Sequence, residues 1–525
     1  MKEGKVQAAL PMRRVLSFAT ITAAGLVLGQ ASGLLREVVV SAQFGLSAEI
    51  DAYKLAYLVP TLINNIIAGS AITMAVMPTL AKYLTAGDRY EFWYVASVIT
   101  NIVLIITGAL TLLGMLLAGP IISILGMGMP LSTQALAAAL LVIMMPTLLL
   151  GALLNMLMAA LNSVDRFVGP ALIFLALNGG IIGTVILLAP IIGIYSVALG
   201  FLIGALFQVL VQSFELKRER GHYFARMDLH HPAVRQVGIA FLPVTALAIV
   251  SQINILIDGA MAAALPTGSL GALTYGNTIL GAFYSVGISL GIAVFPSLSR
   301  MAMTNDLASV GRTIMMSLRV LIFILAPLTV LLLVFAVPVV GLLLGRGRFD
   351  ANAVQMTAQA LAMYAIGLIS IAAVYILQRT FYALSDGKTP LVIGSAVVLL
   401  HILLNLLLIP SMAHGGIALS ASLTTTLGVA MLIGFLARRV PGIRLGELAG
   451  FLLRCAVLAV VSAAPVVWIF EFMSLDASTW LARGAGVALA AAGGVIYFLL
   501  ALVTHTPESQ ALLETAFRFL GRDRL

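Results

Sequence analysis

Long apolar stretches follow one another along almost the whole chain, and no other feature limits its fold as strongly. A helix that crosses a bilayer needs about twenty mainly apolar residues, and windows of that length predict about fourteen spans. Only 9% of the 525 residues are charged and 61% are hydrophobic, whereas soluble domains carry roughly 25% charged residues. The chain is therefore predicted to be an all-α polytopic membrane protein. The predicted spans are 16–42, 54–80, 93–118, 134–160, 168–190, 193–214, 236–263, 270–298, 313–344, 353–382, 390–410, 416–437, 449–472 and 481–503.

The basic residues between the apolar stretches predict the orientation. If the N-terminus is cytoplasmic and the spans alternate, nearly all lysines and arginines of the loops fall on the cytoplasmic side, as the positive-inside rule requires. The opposite side receives only Lys54, Arg346, Arg348 and Arg483, and Arg36 stays within the membrane. Both termini are therefore predicted to face the cytoplasm. The net charge of +9 lies in short clusters between spans, which argues against nucleic acid as a partner.

Proline positions indicate an internal repeat. The segment "VMPTLAKY" at 76–83 resembles "VFPSLSRM" at 294–301. Pro190 in "LLAP" and Pro410 in "LLIP" form a second matching pair at nearly the same spacing. Because the repeated unit holds six spans, both copies enter the membrane in the same direction. The two copies are then expected to be related by a pseudo-two-fold axis along the membrane normal.

The repeat predicts three regions. Residues 1–235 form an N-terminal lobe with spans 1–6, and residues 236–445 form a C-terminal lobe with spans 7–12. Residues 446–525 contain two additional spans and a short cytoplasmic tail. Two similar lobes that face a central cavity are an alternating-access architecture. The sequence therefore predicts a transporter.

Charged side chains inside the spans are candidate functional residues, because a charge near mid-bilayer costs at least ~2.5 kcal/mol on insertion scales. Arg36 and Glu37 in the first span are the leading candidates. An arginine holds a phosphate with two parallel hydrogen bonds, although a local ion pair near the headgroups is the alternative. Asp258 is consistent either with a cation or proton site or with a carboxylate at the outer interface. His401 and Asn405 share a helix face and give a weaker indication of a cation site.

The uncharged candidates are Asn64, Asn65 and Asn277. Each can bind substrate or pair with another helix, and pairing between helices is the commoner role. The sequence has no HExxH zinc motif, no P-loop and no nucleophile elbow, so an enzyme is not expected. The single cysteine, Cys455, excludes an internal disulfide and a cysteine-based metal site.

Several motifs resemble the MurJ/MviN family of lipid II flippases, within the superfamily that also contains polysaccharide-lipid flippases and multidrug extruders. The resemblance covers nearly the whole chain, and its last two motifs are the more specific. It implies a multi-pass protein of the bacterial cytoplasmic membrane that moves an undecaprenyl-diphosphate-linked peptidoglycan precursor across the bilayer. It also implies a monomer surrounded by membrane lipids, with the last two helices forming a groove for the lipid tail. The motifs are "GLLREVVVSAQFG" at 33–45, "DAYKLAYLVPTL" at 51–62, "AVMPTLAKY" at 75–83, "GIAVFPSLSR" at 291–300, "GRGRFD" at 345–350 and "FYALSDGKTPLVI" at 381–393.

The candidate substrate site departs from the family pattern. The family usually places several arginines in a central cavity, and Arg36 matches one of them, with Glu37 in place of the usual aspartate. The other basic positions correspond to Gln30, Asn64 and Thr278. Phosphate binding would then rely on Arg36 with neutral donors. A flippase for another polyprenyl-linked oligosaccharide, a cation-coupled extruder of small molecules and a non-transporting scaffold are the alternatives.

The resemblance also implies a sodium site in the second lobe. By position it falls near Asp258, His401 and Asn405, and its acidic members are only partly kept. Transport is therefore expected to use a Na⁺ or H⁺ gradient, or the membrane potential, rather than ATP or a bound cofactor.

Overall fold

A computed structural model describes residues 12–66, 73–164, 166, 168–217, 222–473, 479–504 and 510. These residues form α-helices joined by short connections, with no β-strand among them, as the all-α prediction requires. The first helices are α1 (Met12–Phe44), α2 (Ala48–Asn64), α3 (Thr73–Thr85), α4 (Arg89–Leu116), α5 (Ala118–Leu125), α6 (Leu131–Met144), α7 (Thr147–Ser163), α8 (Val168–Ile192) and α9 (Tyr195–Lys217). The remaining helices are α10 (Pro232–Ala263), α11 (Ser269–Met303), α12 (Leu307–Val334), α13 (Ala336–Leu344), α14 (Ala351–Ala365), α15 (Leu368–Ala383), α16 (Lys388–Met412), α17 (His414–Arg439), α18 (Leu445–Phe472) and α19 (Trp480–Val503).

The chain divides into two compact units. The first contains the chain up to Val40 together with Ala52–Leu256. The second contains Ser41–Asp51 and the chain from Ile257 onward. The short segment at the end of α1 and the start of α2 therefore packs with the second unit. The lobe boundaries at 235 and 445 remain predictions, because the units are defined by packing rather than by the repeat.

The helix boundaries reproduce the internal repeat. α4 and α12 both have 28 residues, and their spacing is that of the "VMPTLAKY" and "VFPSLSRM" segments. α8 and α16 both have 25 residues, and their spacing is that of Pro190 and Pro410. The interruptions recur as well, since α4 is followed at once by α5, and α12 at once by α13. The predicted division near Pro190 and Gly193 is also found, because α8 ends at Ile192 and α9 begins at Tyr195.

Among the described residues, ten helical segments are long and apolar enough to cross a membrane, or eleven if α14 and α15, bent by 49°, form one span. The predicted spans 16–42, 54–80 and 236–263 have no counterpart among these segments. The span 54–80 runs across residues 67–72, which lie outside the described part. The basic residues before Met12 also lie outside it. The count of fourteen remains a prediction.

Small residues bring the helices of the first unit close together. α8 packs along α9, and α7 lies against α9, α4 and α3. A Cβ atom at Gly180 would lie 2.5 Å from the Cα of Gly204, and one at Gly204 would overlap the carbonyl oxygen of Leu177. Only glycine permits two backbones to approach this closely. Such close packing holds helices together inside lipid, where no hydrophobic driving force acts between them.

In the second unit α11 packs against α14 and α15, and α16 packs along α17. The two C-terminal helices α18 and α19 pack against each other and against α12, while α19 also meets α13. Arg483 at the start of α19 donates to the carbonyl oxygen of Gly345 at 2.6 Å, just after α13 ends. A cation at a helix C-terminus satisfies free carbonyl groups and the helix dipole, so this contact attaches α19 to the unit.

Two of the sequence motifs contact each other. The amide of Arg348 donates to the carbonyl of Ala42 at 2.8 Å. Gly45 and Gly347 have φ angles of +62° and +60°, which L-residues rarely adopt. A Cβ at Gly347 would overlap the oxygen of Ala42, and one at Gly45 would overlap the oxygen of Arg348. Both glycines are therefore required for the contact between 33–45 and 345–350.

Asp51 stabilises the start of α11 from a distant part of the chain. It is 4% exposed, and its carboxylate accepts from the amides of Gly268 at 2.6 Å and Gly271 at 2.9 Å. The first amides of a helix have no intrahelical partner. Gly268, which caps α11, has no side chain to supply one, so Asp51 supplies the acceptor and the negative charge.

Replacing Asp51 by alanine is expected to lower the free energy of unfolding by about 2–4 kcal/mol, since two buried amides lose their acceptor. The measurement is a denaturant titration of the purified protein in detergent micelles. Glu49→Ala is the matched control, because Glu49 is an exposed acid in the same first turn of α2. Equal losses for the two variants would contradict the capping role of Asp51.

A buried charge cluster as the candidate substrate site

Three charged side chains meet inside the first unit. Glu37 on α1 accepts from Arg36 Nη2 through Oε1 at 2.5 Å and from Lys54 Nζ on α2 through Oε2 at 3.0 Å. The side chains of Glu37 and Lys54 are 3% and 5% exposed, and that of Arg36 is 18% exposed. Each buried ion costs several kcal/mol of desolvation, so such a group persists only when its partners are in place. One carboxylate serves two cations, so these three side chains together carry a net positive charge.

A polar chain from α8 orients Arg36. Its Nη1 donates to Asn178 Oδ1 at 3.2 Å, and Asn178 Nδ2 donates to Ser32 Oγ at 2.9 Å. Ser32 in turn donates to the carbonyl of Gly29 at 2.9 Å. A guanidinium has five N–H groups, of which the described residues Glu37 and Asn178 accept two. Arg36 is thus held in place while N–H groups remain for a further acceptor.

Aromatic rings line the same end of α2. Lys54 Nζ lies 5.6 Å from the ring centroid of Tyr53, within the range of a cation–π contact. The Tyr53 and Tyr57 rings are 6.0 Å apart, and Tyr57 meets Phe201 on α9 edge-on at 5.0 Å. These rings exclude water from the cluster, and low polarity strengthens the attraction of its net positive charge for an anion.

The charge pattern places Lys54 on the outer side, at the start of the predicted second span, and that side remains a prediction. α2 begins earlier than the predicted span, at Ala48, so the lysine lies inside the helix rather than at its start. The sequence contains a helix-start signal here, because Ser47 is followed by the acidic residues Glu49 and Asp51 of the first turn. In the structure, Ser47 Oγ accepts from the amide of Ile50 at 3.4 Å. A serine followed by acidic residues is a helix start.

The uncharged candidates do not join the cluster. The amide of Asn64 packs on Gly151 of α7, where an added Cβ would overlap its Nδ2. Asn65 is exposed and donates to Gln252 Oε1 at 3.2 Å. Asn277 is an exposed residue of α11, in the second unit. Among the described residues, Asn178 and Lys54, rather than these three asparagines, complete the surroundings of Arg36 and Glu37.

The three residues of the predicted cation site do come together in the second unit. Asp258 Oδ1 is 2.6 Å from His401 Nε2 and 3.0 Å from Asn405 Nδ2. Ser420 Oγ on α17 lies 3.0 Å from His401 Nδ1. The side chain of His401 is 3% exposed and that of Asp258 is 24% exposed. A carboxylate, an imidazole and an amide thus form one hydrogen-bonded group.

As packed, the group offers few free oxygen atoms to a cation. A hard cation takes oxygen ligands, and Oδ1 of Asp258 already meets two nitrogen atoms. Asn405 presents its amide nitrogen to Asp258, while its Oδ1 is buried without a hydrogen-bond partner among the described residues. The sodium site therefore remains a prediction.

Known proteins agree with this architecture. A structure described as "Lipid II flippase MurJ, inward closed conformation" has 22% sequence identity and a TM-score of 0.77, and the match covers 97% of this chain and 100% of that one. An inward-facing multidrug resistance MATE family transporter of the MOP superfamily has 12% identity and a TM-score of 0.65, over 80% of this chain and 98% of that one. At these identities the likeness shows the fold alone.

Sequence comparison identifies the family. The lipid II flippase MurJ of Burkholderia cenocepacia is 29% identical over 435 residues, 81% of this chain and 84% of that protein. The probable lipid II flippase MurJ of Synechocystis sp. is 28% identical over 450 residues, 83% of this chain and 84% of that protein. The family described as "Lipid II flippase MurJ" matches residues 40–485. This multi-pass membrane protein belongs to the MurJ family of lipid II flippases.

Proposed function

We propose that this protein moves lipid II, an undecaprenyl-diphosphate-linked peptidoglycan precursor, across the bacterial cytoplasmic membrane by alternating access. Membership of a flippase family makes it a transporter rather than an enzyme. Two compact units and a repeated arrangement of helices support an alternating-access cycle. The substrate is a lipid-linked glycan, and its polyprenyl tail stays in the lipid along α18 and α19.

The net positive charge of Arg36, Glu37 and Lys54 carries this proposal. The diphosphate of lipid II is an anion, and these three buried side chains comprise two cations and one carboxylate. Arg36 is the least buried member, and its planar guanidinium suits phosphate oxygens. Lys54 supplies the second cation in the place of the arginines that the family usually has. Arg36 would contact the diphosphate, and Lys54 and Asn178 would position Arg36.

The orientation and the oligomeric state belong to the same proposal. Loop charges support cytoplasmic termini. In this scheme the cycle begins with the substrate site open to the cytoplasmic leaflet. The protein acts as a monomer in this scheme, with membrane lipids as its surroundings. Asn64, Asn65 and Asn277 are retained as candidate contacts for the glycan headgroup.

Energy for transport is proposed to come from a Na⁺ or H⁺ gradient or from the membrane potential. We take the two nitrogen partners of Asp258 Oδ1, His401 and Asn405, as support for H⁺ or the membrane potential over Na⁺. Replacing Na⁺ by choline on both sides of the membrane is therefore expected to leave the rate of lipid II translocation unchanged within about twofold. The measurement uses proteoliposomes with an imposed membrane potential. A tenfold loss without Na⁺ would show that transport is coupled to sodium.

Complementation tests the function in the cell. The gene is expressed in a bacterium whose own lipid II flippase is placed under conditional control, and growth is followed after depletion. Restored growth, with lipid II reaching the outer leaflet, is the expected result. If a well-inserted protein leaves lipid II in the inner leaflet, the substrate assignment fails, and another polyprenyl-linked glycan becomes the cargo to test.

A further inference from the structure

A cavity of about 490 Å³ lies within the first unit and shares no residue with the charge cluster. Its walls are apolar and come from three helices. Trp93 and Leu104 belong to α4, Leu153 and Leu157 to α7, and Leu216 to α9. Pockets that hold small molecules have volumes of roughly 300–1,000 Å³. The cavity is therefore large enough for an apolar chain, and most of its lining is apolar.

Polar and basic side chains surround the mouth of this cavity. Lys217 is the last residue of α9, and His222 and Tyr223 lie in the connection between α9 and α10. All three are exposed. An apolar interior with a basic, exposed rim matches the two parts of an anionic amphiphile, because the chain avoids water while the headgroup keeps contact with it.

Hydrogen bonds to α4 hold the mouth in shape. Asn101 Nδ2 donates to the carbonyl oxygens of Phe224 at 2.9 Å and Arg226 at 2.8 Å. The Phe224 amide donates to Ser97 Oγ at 3.1 Å, and Tyr223 hydrogen-bonds to Asn101 Oδ1. Asn101 thus uses both of its polar atoms on this connection. These hydrogen bonds fix residues 223–226 against α4, which favours binding by lowering the ordering cost of this part of the connection.

We propose that this cavity binds one acyl chain of an anionic phospholipid, with its phosphate at Lys217 and His222. Basic pockets between membrane helices bind anionic headgroups on the cytoplasmic side, and the loop charges predict that α9 ends on that side. The second chain of the phospholipid remains in the bilayer, since the cavity accommodates only one. This proposal is independent of the transported substrate.

Native mass spectrometry of the full-length protein tests the proposal. The protein is released from nanodiscs of phosphatidylethanolamine and phosphatidylglycerol, and the retained lipid is identified. Wild type is expected to keep one phosphatidylglycerol at least tenfold more often than one phosphatidylethanolamine. The double variant Lys217→Ala/His222→Ala is expected to lose this preference, because the phosphate loses both partners. Leu157→Trp is expected to lose the lipid altogether, because the indole fills the apolar part.

Lys388→Ala is the matched control, since it removes an exposed lysine from the end of a helix in the second unit. It is expected to retain lipid as wild type does. Lys217→Ala/His222→Ala changes exposed positions only, so its lipid preference tests the proposal even if Leu157→Trp fails to fold. Equal retention of both lipids by wild type would overturn the proposal, as would an equal loss in Lys388→Ala. Displacement by a polyprenyl phosphate at lower concentration would also overturn it, because the cavity would then be a site for the substrate tail.

Discussion

Replacing Glu37 by glutamine is expected to destabilise the protein more than any other single change in the candidate site, by about 3–5 kcal/mol. The wild-type carboxylate balances one of the two cations, Arg36 and Lys54, that contact it. In the variant both cations face a neutral amide, and neither is exposed enough for water to replace the lost charge. The measurement is the free energy of unfolding in a denaturant titration of detergent micelles, together with the amount of protein inserted in the membrane.

A second substitution separates charge balance from simple loss of a contact. Glu37→Gln/Lys54→Met has the same net charge in the cluster as wild type, because one anion and one cation are removed together. The double variant is expected to regain more than half of the stability that Glu37→Gln loses. If the double variant is as unstable as the sum of its two single variants, the charge-balance account of the cluster is wrong.

Replacing Arg36 by alanine is expected to remove transport while the protein stays folded. Glu37 and Lys54 remain as a neutral pair at 3.0 Å, so the stability loss is smaller than for Glu37→Gln. The diphosphate loses its two-point partner, and removing one member of a hydrogen-bonded charge pair costs about 2–5 kcal/mol. Affinity for lipid II should therefore fall by roughly 30-fold or more. Binding is measured with the purified protein and lipid II in nanodiscs.

Arg36→Lys tests the geometry of that contact. Lysine keeps the charge but lacks the planar pair of donors, so it is expected to recover only a small part of the affinity. Arg444→Ala is the control for loss of a positive charge, because Arg444 is 72% exposed and pairs with Glu447. Unchanged affinity in Arg36→Ala would remove Arg36 from the substrate site. A loss in Arg444→Ala equal to that of Arg36→Ala would assign the effect to the net charge of the protein.

The sequence predicts the membrane helices well because bilayer thickness sets their length. The boundaries of α8, α9, α16 and α17 follow from apolar run length and from the Pro190–Gly193 break. Interruptions within a continuous apolar run are not predictable in this way. The predicted span 353–382 is two helices, α14 and α15, bent by 49°, and the span 313–344 is interrupted at Phe335 between α12 and α13. Neither interruption lowers the local hydropathy, from which the membrane spans are predicted.

The sequence predicts the candidate site only in part, and the missing members are those set by tertiary packing. Arg36 and Glu37 are visible as adjacent charges in an apolar run. Asn178 is 142 residues from Arg36 in the sequence, and only the packing of α8 in the first unit brings it to the guanidinium. Lys54 is 17 residues from Glu37. The apolar run length predicts a second span that begins at residue 54, whereas α2 begins at Ala48. The prediction therefore places Lys54 at a loop boundary.

Acidic residues in two of the family motifs have structural roles. Asp350 of "GRGRFD" accepts from the amide of Ala353 at 2.8 Å at the start of α14. Asp386 of "FYALSDGKTPLVI" accepts from the hydroxyl and the amide of Thr389 and from Arg439. Hydrogen bonds from Thr389 and the nearby Arg439 lower the pKa of Asp386 from its usual value. Both residues stabilise helix starts, and neither contributes to the cluster of Arg36, Glu37 and Lys54.

Translocation of lipid II by the purified protein tests the central claim most directly. Wild type is reconstituted in liposomes with fluorescent lipid II, a membrane potential is imposed, and the fraction of label accessible to a membrane-impermeant quencher is followed with time. Wild type is expected to move lipid II between the leaflets at least tenfold faster than protein-free liposomes, and Arg36→Ala is expected to match the protein-free rate. Folded wild-type protein that moves lipid II no faster than empty liposomes would contradict the assignment of this protein as a lipid II flippase.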